Sequence, residues 1–229
     1  MTPPPRDRTG ADTPHAFSSA EIDAVYQAIR SRRDMRHFLP DPVDPAVLTR
    51  LLEAAHCAPS VGYMQPWRFI RVTDAALRTQ LGELVEAERL ATAEALGERG
   101  AEFMRLKVEG IREAGEVLVV TLMPDREGFI FGRRTLPEMD LASVACGIQN
   151  LWLAARAEGL GMGWVSLFDP AALRELLGIP EGGQPVAILC LGHVEAFYDT
   201  PMLEQQGWDQ RRPLDELVFQ DTWGQTRTR

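Results

Sequence analysis

Three arginines lie within five positions early in the chain, at Arg32, Arg33 and Arg36. Guanidinium groups this close together can direct several forked hydrogen bonds at one phosphate. Some twenty residues later a loop runs from Pro59 to Trp67 and carries serine, glycine, an amide and an indole. A basic run is more often the solvated end of a helix, so spacing alone leaves phosphate binding and simple solvent exposure both open.

The two segments, 32–38 and 59–67, resemble the N-terminal signature of the nitroreductase-fold flavoproteins. Within that fold the sequence is more similar to the 5,6-dimethylbenzimidazole synthase family, because Asp34 stands where nitroreductases usually carry serine and the loop lacks their usual second serine and asparagine. The similarity continues through a central helix, the strand that follows it and a closing segment. These are residues 139–156, 159–168 and 207–214.

The resemblance implies an α+β fold with a mixed, mainly antiparallel sheet flanked by helices, built as an intertwined homodimer with two active sites at its interface. It also implies that reduced FMN is a substrate, consumed with O2 to give 5,6-dimethylbenzimidazole, the lower ligand of cobalamin. D-Erythrose 4-phosphate would leave as the sugar fragment, and a separate flavin reductase would supply the reduced FMN.

For the site, the resemblance implies that Asp34 transfers a proton over the flavin and that Ser166 faces the flavin edge where oxygen adds. From the residues alone, Asp34 is equally an ion-pair partner of its arginine neighbours, and Ser166 an ordinary strand hydroxyl bonded to a carbonyl. The other implied flavin contacts are phosphate binding by Arg32, Arg33, Arg36 and Arg211, loop contacts from Ser60, Met64 and Gln65, a pyrimidine or ribityl contact from Lys107, and close backbone approach at Gly163.

Two other functions fit the same residues. One is an FMN-dependent NAD(P)H oxidoreductase of the nitroreductase type, in which the flavin is retained and Asp34 only tunes its potential. The other is a flavin-binding or storage protein without turnover. No Gly-x-Ser-x-Gly or Cys–His pattern supports a hydrolase, and no histidine has a second ligand at metal spacing, so no metal site is predicted.

The sequence also predicts the helices and strands that position these residues. Ser18 and Glu21 have capping-box spacing, and Asp44 and Asp169 each precede a proline, as N-cap residues do. Strands are predicted at 67–72, 117–122, 162–167 and 186–191, and helices at 75–100 and 139–158. In the resembled family the weakly periodic stretch 97–113 forms a lid over the flavin. The helix 139–158 is apolar almost all round, which favours burial at a subunit interface.

Composition restricts the remaining classes. The length of 229 residues favours a single domain. The net charge of −9 and the pI near 5 argue against a nucleic-acid partner. We expect residues 1–17 to form a flexible tail and 18–229 the domain. Three cysteines without CxxC spacing suggest buried free thiols, and the absence of a long apolar run predicts a cytosolic protein with no membrane partner.

Overall fold

The structure, a computed structural model, describes residues 15–225, so most of the predicted tail 1–17 lies outside the described range. The sheet strands are β1 (Trp67–Arg71), β2 (Glu116–Leu122), β3 (Gly161–Val165) and β4 (Gln184–Gly192). The helices are α1 (Ser19–Ser31), α2 (Pro45–His56), α3 (Ala75–Ala95), α4 (Gly100–Phe103), α5 (Met139–Ala157), α6 (Pro170–Leu176) and α7 (Met202–Gln205). Short 3-10 turns occupy Val61–Tyr63, Gly97–Arg99 and Leu214–Leu217.

The local helix signals of the sequence are confirmed. Ser18 and Glu21 form a complete capping box at the start of α1. The Asp44 carboxylate accepts from two backbone N–H groups at the start of α2, and Asp169 accepts from the Ala172 N–H at the start of α6. These caps satisfy donors that the first helical turn leaves without intrahelical partners.

The sheet has the strand order β1-β2-β4-β3, and each neighbouring pair is antiparallel. The parallel component is an isolated bridge between Asp34 and Met162, in which the Met35 N–H donates to the Met162 carbonyl at 2.9 Å. The segment after α1 therefore lies along the open edge of β3. This contact brings the arginine-rich turn beside the residues that follow β3.

Helices cover both faces of the sheet, which is why β2 is buried along its whole length. Leu118 and Val120 are separated by one residue and pack with α2 and α5, whereas Val117 and Val119 point to the opposite face and pack with α3 and α6. At Gly147 of α5, a Cβ would lie 3.4 Å from the Ala55 carbonyl oxygen, so α5 and α2 approach closely there.

Two expectations from the sequence are corrected. The third strand ends at Val165, not at 167, because its last pairing with β4 is Val165 with Ile188. Ser166 consequently lies in the connection to α6. Of the three cysteines, only Cys190 is buried; Cys57 and Cys146 are exposed, since the first follows the end of α2 and the second lies on the outer side of α5.

The outer surface of α1 and α5 is unusually apolar for a single chain. Helix α1 contains no buried residue, and its Val25, Tyr26 and Ile29 are each about half exposed, at 50%, 50% and 46%. Leu141 of α5 is 40% exposed. Apolar surfaces of this kind commonly mark contacts with another protein surface. Among residues 15–225, no helix is both long enough and apolar enough to cross a membrane.

Candidate functional site

A cavity of about 780 Å³ opens beside the end of β3. Its walls come from the turn after α1, the segment 103–108, the residues that leave β3, and the segment 200–211. The volume is in the range of small-molecule sites. The structure brings seven of the predicted site residues to this cavity: Arg32, Arg33, Asp34, Arg36, Lys107, Ser166 and Arg211.

Asp34 is fixed by a donor on each carboxylate oxygen. The Trp164 N–H donates to Oδ1 at 3.0 Å, and Arg36 Nη2 donates to Oδ2 at 2.7 Å. The side chain is 44% exposed and lines the cavity. Desolvation by burial raises the pKa of Asp34, while Arg36, the Trp164 N–H and Arg32 oppose that rise. A carboxyl group with a raised pKa that lines a cavity is a candidate for proton transfer.

The three neighbouring arginines have different surroundings. Arg36 is buried, and its Nη2 reaches the Trp164 carbonyl at 2.9 Å as well as Asp34. Arg33 donates through Nη1 to the carbonyls of Arg30 and Arg32 at 2.7 and 2.8 Å, and through Nη2 to the Asp199 carbonyl at 2.6 Å. Arg33 thus caps the end of α1 and fastens the chain that leads into the segment 200–211.

Arg32 is the arginine best placed for an anion. Its guanidinium stacks on the Trp152 ring at 4.3 Å and lines the cavity, and stacking leaves the in-plane N–H donors at its edge available. Desolvation lowers the pKa of Arg32, and the positive charges of Arg33 and Arg211 add to this effect, whereas Asp34 raises it. Arg32 and Arg211 therefore form a local cationic pair on a protein with a net charge of −9.

Lys107 and Ser166 occupy other parts of the cavity wall. The Lys107 ammonium is paired with Glu113 at 2.8 Å, so a contact to a ligand would compete with that ion pair. Ser166 is exposed and lies two positions after Trp164. The Trp164 backbone N–H and carbonyl bind Asp34 and Arg36, respectively. The proton-transferring candidate and the hydroxyl candidate are therefore attached to the same short stretch of chain.

Phe103 and Leu106, from the stretch 97–113, and Trp208 form an apolar part of the cavity wall. Arg99 holds Trp208 in two ways: its guanidinium lies 3.7 Å from the centre of the indole, and its Nη2 donates to the Trp208 carbonyl at 3.1 Å. Phe103 lies 6.1 Å from the same ring, between centroids. This contact joins the segment 97–103 to the chain that carries Arg211. Trp208 lies in the closing segment noted in the sequence, but no local pattern indicates its partner more than 100 positions away.

The loop residues Ser60, Met64 and Gln65 do not line this cavity. Met64 and Gln65 line a separate pocket of about 410 Å³ with His56, Trp67 and other residues. The Ser60 Oγ accepts from the Gln65 N–H at 3.1 Å. Tyr63 and Gln65 have φ angles of 57° and 49°, a left-handed conformation that is strained for side-chain-bearing residues.

Gly163 also lies outside the cavity wall. A Cβ at this position would lie 2.3 Å from the Met35 carbonyl oxygen and 2.5 Å from Arg36 Nη1. The structure thus accounts for the glycine through the close passage of the segment that carries Arg36. Close approach of a flavin, predicted from the sequence, is not needed to explain it.

The fold agrees with comparisons with known proteins. Residues 29–193 match a family model described as "Nitroreductase family". The chain belongs to the nitroreductase family. A BluB-like flavoprotein from Clostridium difficile superposes with a TM-score of 0.68 at 16% identity, covering 86% of this chain and 99% of the other, which supports the fold.

Within that family the chain groups with the 5,6-dimethylbenzimidazole synthases. It is 42% identical to the 5,6-dimethylbenzimidazole synthase of Rhodobacter capsulatus over 201 residues, which cover 87% of this chain and 97% of the relative. It is 43% identical to the corresponding enzyme of Rhodospirillum rubrum over 194 residues, covering 84% and 90%. The recognition of this family from the two loops and the later segments is confirmed.

Proposed function

We propose that this protein is a 5,6-dimethylbenzimidazole synthase that fragments reduced FMN in the presence of O2. The identity to two synthases over most of their length supports the activity. One structural observation carries the proposal: a single cavity contains a carboxyl group with raised pKa, Asp34, a hydroxyl, Ser166, and a cationic pair, Arg32 and Arg211. A cationic pair suits a phosphate, a carboxyl group suits proton transfer, and a hydroxyl can donate to negative charge that develops during the reaction.

The phosphate would bind at Arg32 and Arg211. The stacked Arg32 guanidinium offers forked donors, and Arg211 adds a second positive charge at the same wall. Arg36 Nη1 is buried without a hydrogen-bond partner among the described residues, and it lies 2.5 Å from where a Cβ at Gly163 would be. These features fit FMN. Reduced FMN supplies the ring that is broken and the electrons that activate O2.

Asp34 and Ser166 perform the chemistry that falls to the protein. The ionised Asp34 accepts a proton from the bound substrate, and its two fixed donors hold the carboxylate in one orientation. The Ser166 hydroxyl donates a hydrogen bond to negative charge that develops beside it. The apolar wall of Phe103, Leu106 and Trp208 limits the entry of water to the reacting atoms.

We further propose that the working unit is a homodimer, in which a second copy supplies Ser60, Met64 and Gln65. In one chain these residues lie outside the cavity, although the loop holds a strained shape of the kind found at ligand sites. The exposed apolar sides of α1 and α5 provide a surface for the second copy. A separate flavin reductase would supply reduced FMN, because the chain is proposed to consume the flavin.

The test is to mix the protein anaerobically with chemically reduced FMN, admit air, and measure 5,6-dimethylbenzimidazole by mass spectrometry. We expect the product from the wild-type protein and only oxidised FMN from a protein-free control. Rapid NAD(P)H oxidation by a protein that keeps its flavin, with no product, would support an oxidoreductase of the general nitroreductase type. Tight FMN binding with neither reaction would support a flavin-binding protein.

A further inference from the structure

The hydrogen bonds of Arg36 differ from those of an arginine whose donors are free to bind a phosphate. Its Nη2 bridges the Asp34 carboxylate at 2.7 Å and the Trp164 carbonyl at 2.9 Å, while the Trp164 N–H holds the other carboxylate oxygen of Asp34. These contacts form a closed arrangement of three residues. The turn after α1 is thereby joined to β3 through side chains as well as through the Asp34–Met162 backbone bridge.

The neighbouring residues leave Arg36 little freedom to turn away. Its residue surface is 8% exposed, and the Tyr198 hydroxyl accepts a hydrogen bond from its backbone N–H at 3.3 Å. A side chain at Gly163 would collide with Arg36 Nη1 and with the Met35 carbonyl oxygen. The space for the guanidinium is thus created by a glycine in β3. Arg32, in contrast, stacks on Trp152 and lines the same cavity with the donors at its edge available.

We propose that Arg36 is a positioning residue that acts through Asp34, fixing the orientation and the charge of its carboxylate, and that it does not bind the flavin phosphate. The catalytic consequence rests on the proposed function, whereas the coupling between Arg36 and Asp34 does not. Phosphate binding is then left to Arg32 and Arg211. Gly163 supports the same arrangement, because the absence of a side chain there leaves the space that the Arg36 guanidinium occupies.

The electrostatic surroundings of Asp34 make the coupling measurable. Arg32 and Arg36 are the cations whose charges act on the carboxylate, and Lys107 and Arg211 line the same cavity. From β4, Cys190 interacts with Asp34 and Arg36, but burial raises the pKa of this thiol to about 12, so it carries no charge at neutral pH. Removal of Arg36 should therefore raise the pKa of Asp34 further, because the opposing effect of its nearest cation is lost.

The first test uses no flavin. The Asp34 carboxyl is followed by 13C NMR in protein labelled at aspartate, with Asp34→Asn to assign its signal. We expect the midpoint of its titration to move to higher pH in Arg36→Met. Arg50→Met is the matched control, because it removes a guanidinium from an exposed pair with Glu158 at 2.9 Å. That change should leave the Asp34 midpoint unaltered.

The second test measures product from reduced FMN across pH. If Asp34 acts as a base, its ionised form is needed, so the acidic limb of the profile should move to higher pH in Arg36→Met. The yield at neutral pH should fall by about 10²-fold, the loss typical of a reacting group that is displaced by 1 Å. In an Asp34→Asn background the same substitution should cost little more, since a residue that acts through Asp34 has nothing left to position.

Arg36→Lys is a second variant that keeps the test decisive if Arg36→Met does not fold. Lysine keeps the charge but lacks the planar fork, so it should move the acidic limb less than methionine does and still reduce the yield. The proposal is overturned by an unchanged Asp34 titration in the folded variants. It is equally overturned if the losses of product yield are additive in the Arg36→Met, Asp34→Asn double variant. It is also overturned if Arg36→Met weakens the binding of reduced FMN but not that of reduced riboflavin. A wild-type protein that makes no product would instead refute the proposed function.

Discussion

At the scale of single residues, three arginines within five positions have three separate tasks in this structure. Arg32 stacks on Trp152 at the cavity, Arg33 caps carbonyls, and Arg36 holds Asp34. The sequence correctly brings them to one place, but it cannot assign the tasks. For Arg33 the deciding contact is a carbonyl 166 positions later, at Asp199. Side chains of one type are sorted by their tertiary neighbours, and these are invisible in a local pattern.

The difference between Arg32 and Arg33 gives the first prediction. Arg32→Ala should weaken binding of reduced FMN by about 1.5–3 kcal/mol, the range for hydrogen bonds to a charged group, and leave reduced riboflavin nearly unaffected. Arg33→Ala should weaken the binding of both flavins alike, and it should lower the free energy of unfolding by about 0.5–1.5 kcal/mol because three exposed or half-buried carbonyls lose their donor. Flavin titrations and urea unfolding measure these effects. A loss confined to FMN in Arg33→Ala would return Arg33 to the phosphate site.

A second residue-scale prediction concerns Asp34 and Ser166. Asp34→Asn keeps the shape of the side chain but removes the proton acceptor, so product should fall by roughly 10²–10⁴-fold. Ser166→Ala removes a hydrogen-bond donor at the reacting atoms and should cost about 10²–10³-fold. Both variants should still bind reduced FMN and still consume O2, with oxidised FMN and hydrogen peroxide as products. A wild-type yield from Asp34→Asn would leave Asp34 as an ion-pair partner alone.

At the scale of elements, the sequence predicts where helices begin better than where strands end. A helix start is decided by a cap within a few residues, as at Ser18, Asp44 and Asp169. The end of β3 is decided by how far β4 pairs with it, so the sequence extended this strand by two residues and placed Ser166 inside it. The position of Ser166 in a connection matters, because there its hydroxyl is exposed and lines the cavity.

The contact between Arg99 and Trp208 leads to an element-scale prediction. Arg99→Ala should remove the stacking and the carbonyl bond that join the segments 97–103 and 207–211. Stability should change by only about 0.5–1 kcal/mol, the usual contribution of an exposed cation–π pair. Amide hydrogen exchange in both segments should nevertheless accelerate, and more O2 should be consumed for each product formed, because water enters the cavity. Arg105→Ala serves as the control, because Arg105 is a likewise exposed arginine whose side chain makes no hydrogen bond or ring contact among the described residues, and equal exchange in both variants would refute this linkage.

At the scale of the whole molecule, one chain brings together only part of the predicted site. The α+β class and the mainly antiparallel sheet follow from the family resemblance, which two loops and the later matching segments carry. The location of the loop 60–65 does not follow, because no local pattern indicates which cavity a loop reaches. In the described chain, Met64 and Gln65 lie in a pocket separate from that of Asp34. A second copy is the simplest way to reunite them.

The last prediction is that two inactive chains restore each other. Asp34→Asn removes a group at the large cavity, and Gln65→Gly removes the loop amide while relieving a φ of 49°. If the loop of one copy completes the cavity of the other, a mixed dimer has one intact site, which combines Asp34 of one chain with Gln65 of its partner. Random reassembly makes half of the dimers mixed, so an equal mixture should recover about a quarter of the wild-type yield.

Light scattering provides the companion measurement and should give about twice the chain mass for the wild type and both variants. The two variants should be inactive when each is assayed alone after the same dissociation and reassembly. A mixture no more active than its parents, in samples shown to exchange subunits, would mean that each cavity takes all its groups from a single chain. Full activity of Gln65→Gly alone would remove the loop from the site, whereas recovery near a quarter requires that both copies contribute to each reaction centre.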